Sequence, residues 1–125
     1  MPRGQDDTTK TVDRLMRLAA ALGLPEVELS TSFDDPALKL RGKAMAVVKA
    51  PDLLYLPCPL DQKEVLLEMA PEIYFETDHY KGWPGLLVRL EAIGDDELGR
   101  RIEDAWRYRA PRRLAQARAE ARRAR

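Results

Sequence analysis

Cysteine and histidine are almost absent from this sequence, which has one of each, Cys58 and His79. A lone cysteine cannot close an internal disulfide, so a disulfide scaffold is excluded and a reducing, cytoplasmic compartment is expected. One histidine and one cysteine also fall short of the roughly three or four ligands that a zinc site needs. Glu76 and Asp78 beside His79 match no strong metal motif, so neither a metal nor another cofactor is expected. Long apolar runs are missing, and nothing approaches the ~20 residues that span a bilayer. Residues 1–7 have no apolar stretch of the secretory kind. Phosphate-cradling glycine loops and the Gly-x-Ser-x-Gly nucleophile elbow are likewise absent. What is left is a chain of 125 residues with 21 basic and 21 acidic side chains, long enough for one domain with its own core.

The zero net charge is an average over two unlike parts. From Glu97 to Arg125 there are ten arginines and four acids, a net +6, which leaves −6 on residues 1–96. An acidic body with a basic tail points toward a polyanionic partner, or toward a tail that docks on a neighbouring acidic surface.

Hydrophobic spacing sets out the elements. Val12, Leu15, Met16, Ala19 and Leu22 recur at helical spacing from Thr8 onward, with Gly23 as C-cap and Pro25 barring continuation. Glu26–Thr31 alternates as a half-buried strand, and Asp34-Asp35-Pro36 reads as a turn. Ala37–Arg41, Ala44–Lys49 and Leu53–Pro57 form a meander, the first two joined by a tight turn at Gly42-Lys43. A second helix follows Pro59, with Asp61 as cap, Glu64 completing a capping box, and Val65, Leu66 and Met69 as its apolar face. Ile73–Thr77 and Leu86–Leu90 are strand-like, flanking a loop from Asp78 to Gly85. A third helix from Gly94-Asp95 carries Leu98, Ile102, Ala105 and Trp106 on one face. Pro111 breaks this helix or restarts it as a fourth. In that last segment Leu114, Ala117, Ala121 and Ala124 form a narrow stripe, and Arg112, Arg118, Arg122, Arg123 and Arg125 fall on the opposite, solvent-facing arc. The implied fold is a single α+β domain, a mainly antiparallel sheet with helices on one face and a helical C-terminus. Residues 1–8 read as a flexible N-terminus, 9–115 as the domain and 116–125 as a basic tail.

Two sets of residues carry candidate chemistry. Arg107, Arg109, Arg112, Arg113, Arg118, Arg122 and Arg123 could hold phosphates, because the guanidinium fork gives bidentate contacts. His79, Tyr80, Lys81 and Trp83 form the densest polar–aromatic cluster, a loop able to stack on and hydrogen-bond a ligand or a base. The bland alternatives are a solvated amphipathic tail and a hairpin loop whose aromatics close one end of the core. Cys58, between two prolines, reads as a small buried hydrophobe. His79 as a general acid–base lacks an obvious second player.

Thr77-Asp78-His79-Tyr80-Lys81-Gly82-Trp83-Pro84-Gly85-Leu86-Leu87-Val88-Arg89-Leu90 resembles a stretch typical of the MmcQ/YjbR family. Ala105-Trp106-Arg107 followed by Ala110-Pro111-Arg112-Arg113-Leu114 is similar to that family's C-terminal signature. Leu24-Pro25-Glu26-Val27 and Gly42-Lys43 fit as well, so the resemblance runs over roughly residues 9–115. It implies a compact α+β double-wing fold, a DNA-binding label and no catalytic activity or cofactor. Asp78 departs from the usual proline, Trp83 stands at a variable position, and the extension beyond Leu114 has no counterpart in the pattern. The expectation is a non-enzymatic protein that holds DNA through largely sequence-independent phosphate contacts from the arginine face. The alternative is a small-molecule or protein-interaction module using the His79–Gly85 loop.

Overall fold

The computed structural model describes residues 3–124. Arg125 of the expected arginine arc and residues 1–2 of the expected flexible terminus lie outside the described residues. Helix α1 (Arg3–Leu22) starts earlier than the apolar spacing indicates. It buries Leu15, Leu18 and Ala19, and it ends where Gly23 turns left-handed at φ +64°. Arg14 ties α1 to the far end of the chain, donating to the Leu90 and Ile93 carbonyls and to Asp95 at 2.7–3.1 Å.

Six antiparallel strands follow: β1 (Val27–Ser32), β2 (Asp35–Leu40), β3 (Lys43–Ala50), β4 (Leu53–Pro57), β5 (Tyr74–Phe75) and β6 (Gly85–Arg89). Their order across the sheet is β1-β2-β3-β4-β6-β5. The first four make one continuous meander. Both of its first two turns sit one residue or more before their expected places. Ser32 pairs with Asp35, so the first turn is Phe33-Asp34, and Asp35 and Pro36 belong to β2. Pro36 is tolerated there because pairing with β3 starts only at Ala37. Leu40 pairs with Lys43, so the second turn is Arg41-Gly42.

Alternation along the strands sends Leu38, Leu40, Ala46, Val48, Leu54, Leu56, Leu86 and Val88 to one face, where they form the core with the helices. Helix α3 (Asp95–Arg109) buries Leu98, Ile102, Ala105 and Trp106, the face its spacing predicts. Trp106 is fully enclosed, and its indole N–H donates to the Pro25 carbonyl at 2.9 Å.

Helix α2 (Leu60–Met69) departs from expectation in two ways. Its N-cap is Pro59, without a side-chain cap, and the Asp61 carboxylate accepts instead from the Gln62 backbone N–H at 2.8 Å. Val65 and Met69 are exposed, and the inward face is Lys63, Leu66 and Leu67. The helix is held by a buried charge together with Leu66 and Leu67.

Helix α4 (Arg112–Arg123) corrects the picture of a weakly docked small-residue stripe. Leu114 and Ala115 pack on the core, while Ala117, Ala121 and Ala124 are exposed. Arg118, expected to face solvent, is 8% exposed. It donates to the Leu22 carbonyl at 3.3 Å and to Glu103 of α3 at 3.2 Å, and its guanidinium lies 5.4 Å from the Trp106 ring centre. Arg107 at 2.8 Å and Arg122 at 3.5 Å share the same carboxylate. Three arginines thus converge on Glu103. Glu103→Ala strands the buried Arg118 charge and should lower stability by roughly 1–3 kcal/mol. Urea unfolding measures the loss, and trypsin should cut α4 faster in the variant. An unchanged midpoint would contradict this clasp.

Candidate functional site

The opposite face of the sheet carries a separate row of side chains. Cross-strand pairing lines up Ala37, Val47, Tyr55, Leu87 and Phe75 in one transverse row, each the Cα partner of the next. Ala37, Val47 and Leu87 are buried, yet they stand outside the main core. The segment between β5 and β6 folds over this row. It contains a single 3₁₀ turn over Asp78–Tyr80 and a left-handed Gly82 at φ +76°.

One side chain holds that segment. Lys63 of α2 is only 3% exposed. Its ammonium donates to the carbonyls of Tyr80 at 2.7 Å and Trp83 at 2.8 Å, and pairs with Glu76 at 2.9 Å. Two carbonyls accept from the ammonium and a carboxylate lies against it, which offsets the cost of burying such a charge. Thus pinned, Tyr80 stacks on Tyr55 of β4 with centres 5.1 Å apart and planes at 23°, and His79 meets Tyr80 edge-on at 4.9 Å. Gly85 is required beneath this stack, because a Cβ there would collide with the Tyr55 phenol ring and hydroxyl.

A cleft of about 400 Å³ opens beside the stack. Ala44, Val47 and Lys49 of β3 form its floor, Tyr55, His79, Tyr80 and Trp83 one flank, and Ser32 and Phe33 the other. Trp83 is 59% exposed and Phe33 98% exposed. Lys49 pairs with Asp35 at 2.9 Å, and the hydrogen bond to that carboxylate raises its pKa. Burial raises the Tyr55 phenol above its ordinary range. Of the four loop residues singled out from sequence, His79, Tyr80 and Trp83 line the cleft, and Lys81 is exposed outside it. Cys58 lies buried behind the loop, its backbone N–H donating to Pro84, and desolvation pushes its thiol to about 11. That thiol is not a nucleophile at neutral pH.

The arginine set is divided. Arg107, Arg118 and Arg122 are committed to Glu103. Arg112, Arg113 and Arg123 are exposed on α4. Arg109 does not line the cleft but bonds to a residue that does: its Nε donates to the carbonyl of Ala44 at 2.9 Å. Lys39, the cross-strand partner of Ala44, and Lys43, its chain neighbour, gather at the same place. The sequence reading missed Lys63, for which a lone lysine in a helix gives no signal, and Phe33, whose signal was an apolar residue placed in a turn. Tyr55 was missed as well, as part of a strand read only as short and apolar.

Residues 22–108 match the sequence model of the YjbR family. The chain belongs to the YjbR family. The uncharacterized proteins Mb2600 of Mycobacterium bovis and Rv2570 of Mycobacterium tuberculosis are each 42% identical to it over 55 residues, 44% of this chain. That stretch spans 43% of each relative's own length. No solved structure matches. The YjbR match contains every residue that lines the cleft and stops short of Arg109 and α4. Among the described residues no group of three metal-ligating side chains is placed to hold an ion, and no helix is long and apolar enough to cross a membrane.

Lys63→Met keeps the stem and removes the three donors, leaving the Tyr80 and Trp83 carbonyls unpaired. Stability should fall by about 1–3 kcal/mol. The loop amides from Asp78 to Gly85 should exchange hydrogen faster than those of α3. Equal protection in both forms would show that the ammonium does not hold the loop.

Proposed function

We propose that this YjbR-family protein is a non-enzymatic binding protein for single-stranded nucleic acid. Bases enter the aromatic cleft, and phosphates run along the rim formed by Lys39, Lys43 and Arg109. The observation that carries this reading is the Arg109–Ala44 hydrogen bond, which brings one arginine from the end of α3 to a residue of the aromatic cleft's floor. Aromatic rings beside a cationic track are what a flexible strand needs, since every base has a π-face and every nucleotide a charge. A duplex offers its bases only at groove edges, and a cleft of this shape does not reach them. Duplex binding through the C-terminal arginines has less support, because Arg118 is buried and Arg107 and Arg122 already share a carboxylate.

The non-enzymatic part rests on His79. Its ring touches Tyr80, and among the described residues no carboxylate orients it and no activated nucleophile stands beside it.

Fluorescence anisotropy with a labelled oligothymidine and a labelled duplex tests the reading at about 50 and 200 mM salt. The single strand should bind more tightly and lose affinity as salt rises. Trp83→Ala should weaken it about fivefold or more, and Lys43→Ala should reduce the salt slope by about 1. Duplex preference, or no single-strand binding at the lower salt, would overturn it.

A further inference from the structure

We infer that Phe33 is the cleft's specificity-determining ring, a stacking jaw that the fold holds in a strained turn. The inference rests on the reading of the cleft as a ring-binding site. Phe33 and Asp34 are the two loop residues between β1 and β2, and both have left-handed backbones, at φ +49° and +71°. A two-residue hairpin with positive φ at both positions favours Asn-Gly or Asp-Gly, because a bulky side chain is strained there. The same chain makes the same kind of turn at Arg41-Gly42, φ +49° and +81°. There glycine takes the second position, and the Arg41 guanidinium holds Glu26 at 2.8 Å. At Phe33-Asp34 no glycine is present and the Phe33 ring is 98% exposed, so it gains almost no burial in return.

A strained residue whose side chain contributes nothing to packing is retained for something other than stability. Strand order shows what that position offers. Phe33 stands on the β1–β2 flank of the cleft and Trp83 on the β4–β6 flank, with β3 as floor between them. A planar base entering between these flanks has a ring on either side. Phe33 therefore selects unstacked, ring-bearing ligands over a sugar–phosphate chain alone.

The test separates stability from binding in full-length protein. Phe33→Asn supplies a residue that accepts the left-handed turn, and its thermal midpoint should rise by about 2–4 °C. Its affinity for labelled oligothymidine should fall about tenfold. Phe33→Tyr should keep wild-type affinity, and abasic oligonucleotide should bind wild type and Phe33→Asn alike. Unchanged oligothymidine affinity in Phe33→Asn overturns the inference while leaving the cleft intact. A lowered midpoint in Phe33→Asn also overturns it, since the ring would then be structural. Failure of the wild type itself to bind oligothymidine overturns the reading of the cleft and this inference with it.

Discussion

A single buried ammonium organises the cleft-bearing face of the sheet. Lys63 enters from α2, donates to the Tyr80 and Trp83 carbonyls and pairs with Glu76. An unsatisfied lysine in that position would destabilise the fold by several kcal/mol or lose its proton. Because its partners belong to the segment between β5 and β6, it ties α2 to that segment. The Tyr55–Tyr80 stack, the exposure of Trp83 and the depth of the cleft all follow from it. It also explains why α2 leaves Val65 and Met69 in solvent: the helix is oriented by Lys63 and the two leucines below it.

Charge asymmetry, the most visible feature of the chain, is only partly drawn into the fold. Glu103 collects Arg107, Arg118 and Arg122, and Arg118 also covers Trp106. The basic tail is thus a clasp for α4 as much as a surface. What remains for a partner is Arg112, Arg113 and Arg123 on α4 and a smaller basic rim at the β2–β3 turn, where Arg109 bonds to Ala44. Two features that look separate in the sequence, the arginine-rich end and the aromatic loop, meet at one strand of the sheet.

Elements governed by local pattern were legible in the sequence. The α1 and α3 faces, the meander and the YjbR resemblance all rest on spacing of apolar residues or on contiguous motifs, and the structure has them in place. The errors share a physical origin. Apolar periodicity cannot see a buried charge whose partners are backbone carbonyls seventeen and twenty residues away, so Lys63 was missed and Met69 was placed inside. Arg118 failed the same way, because its carboxylate and carbonyl lie on other helices. Asp34-Asp35-Pro36 reads as a turn by composition, yet strand register overrode composition and moved the turn onto Phe33. His79, Tyr80 and Trp83 were found because they are contiguous; Phe33 and Lys49 joined them only through the sheet.

The central claim is that ligand binds on the open sheet face, between Trp83 and the β1–β2 turn. The chain has two tryptophans, which makes the test direct. Trp83 is exposed at the cleft, and Trp106 is sealed in the core with its indole N–H on Pro25. In heteronuclear NMR of the full chain titrated with single-stranded oligothymidine, the Trp83 indole signal should shift progressively and saturate while the Trp106 signal stays fixed. Shifts confined to the α4 arginines, with both indole signals unmoved, would contradict the account.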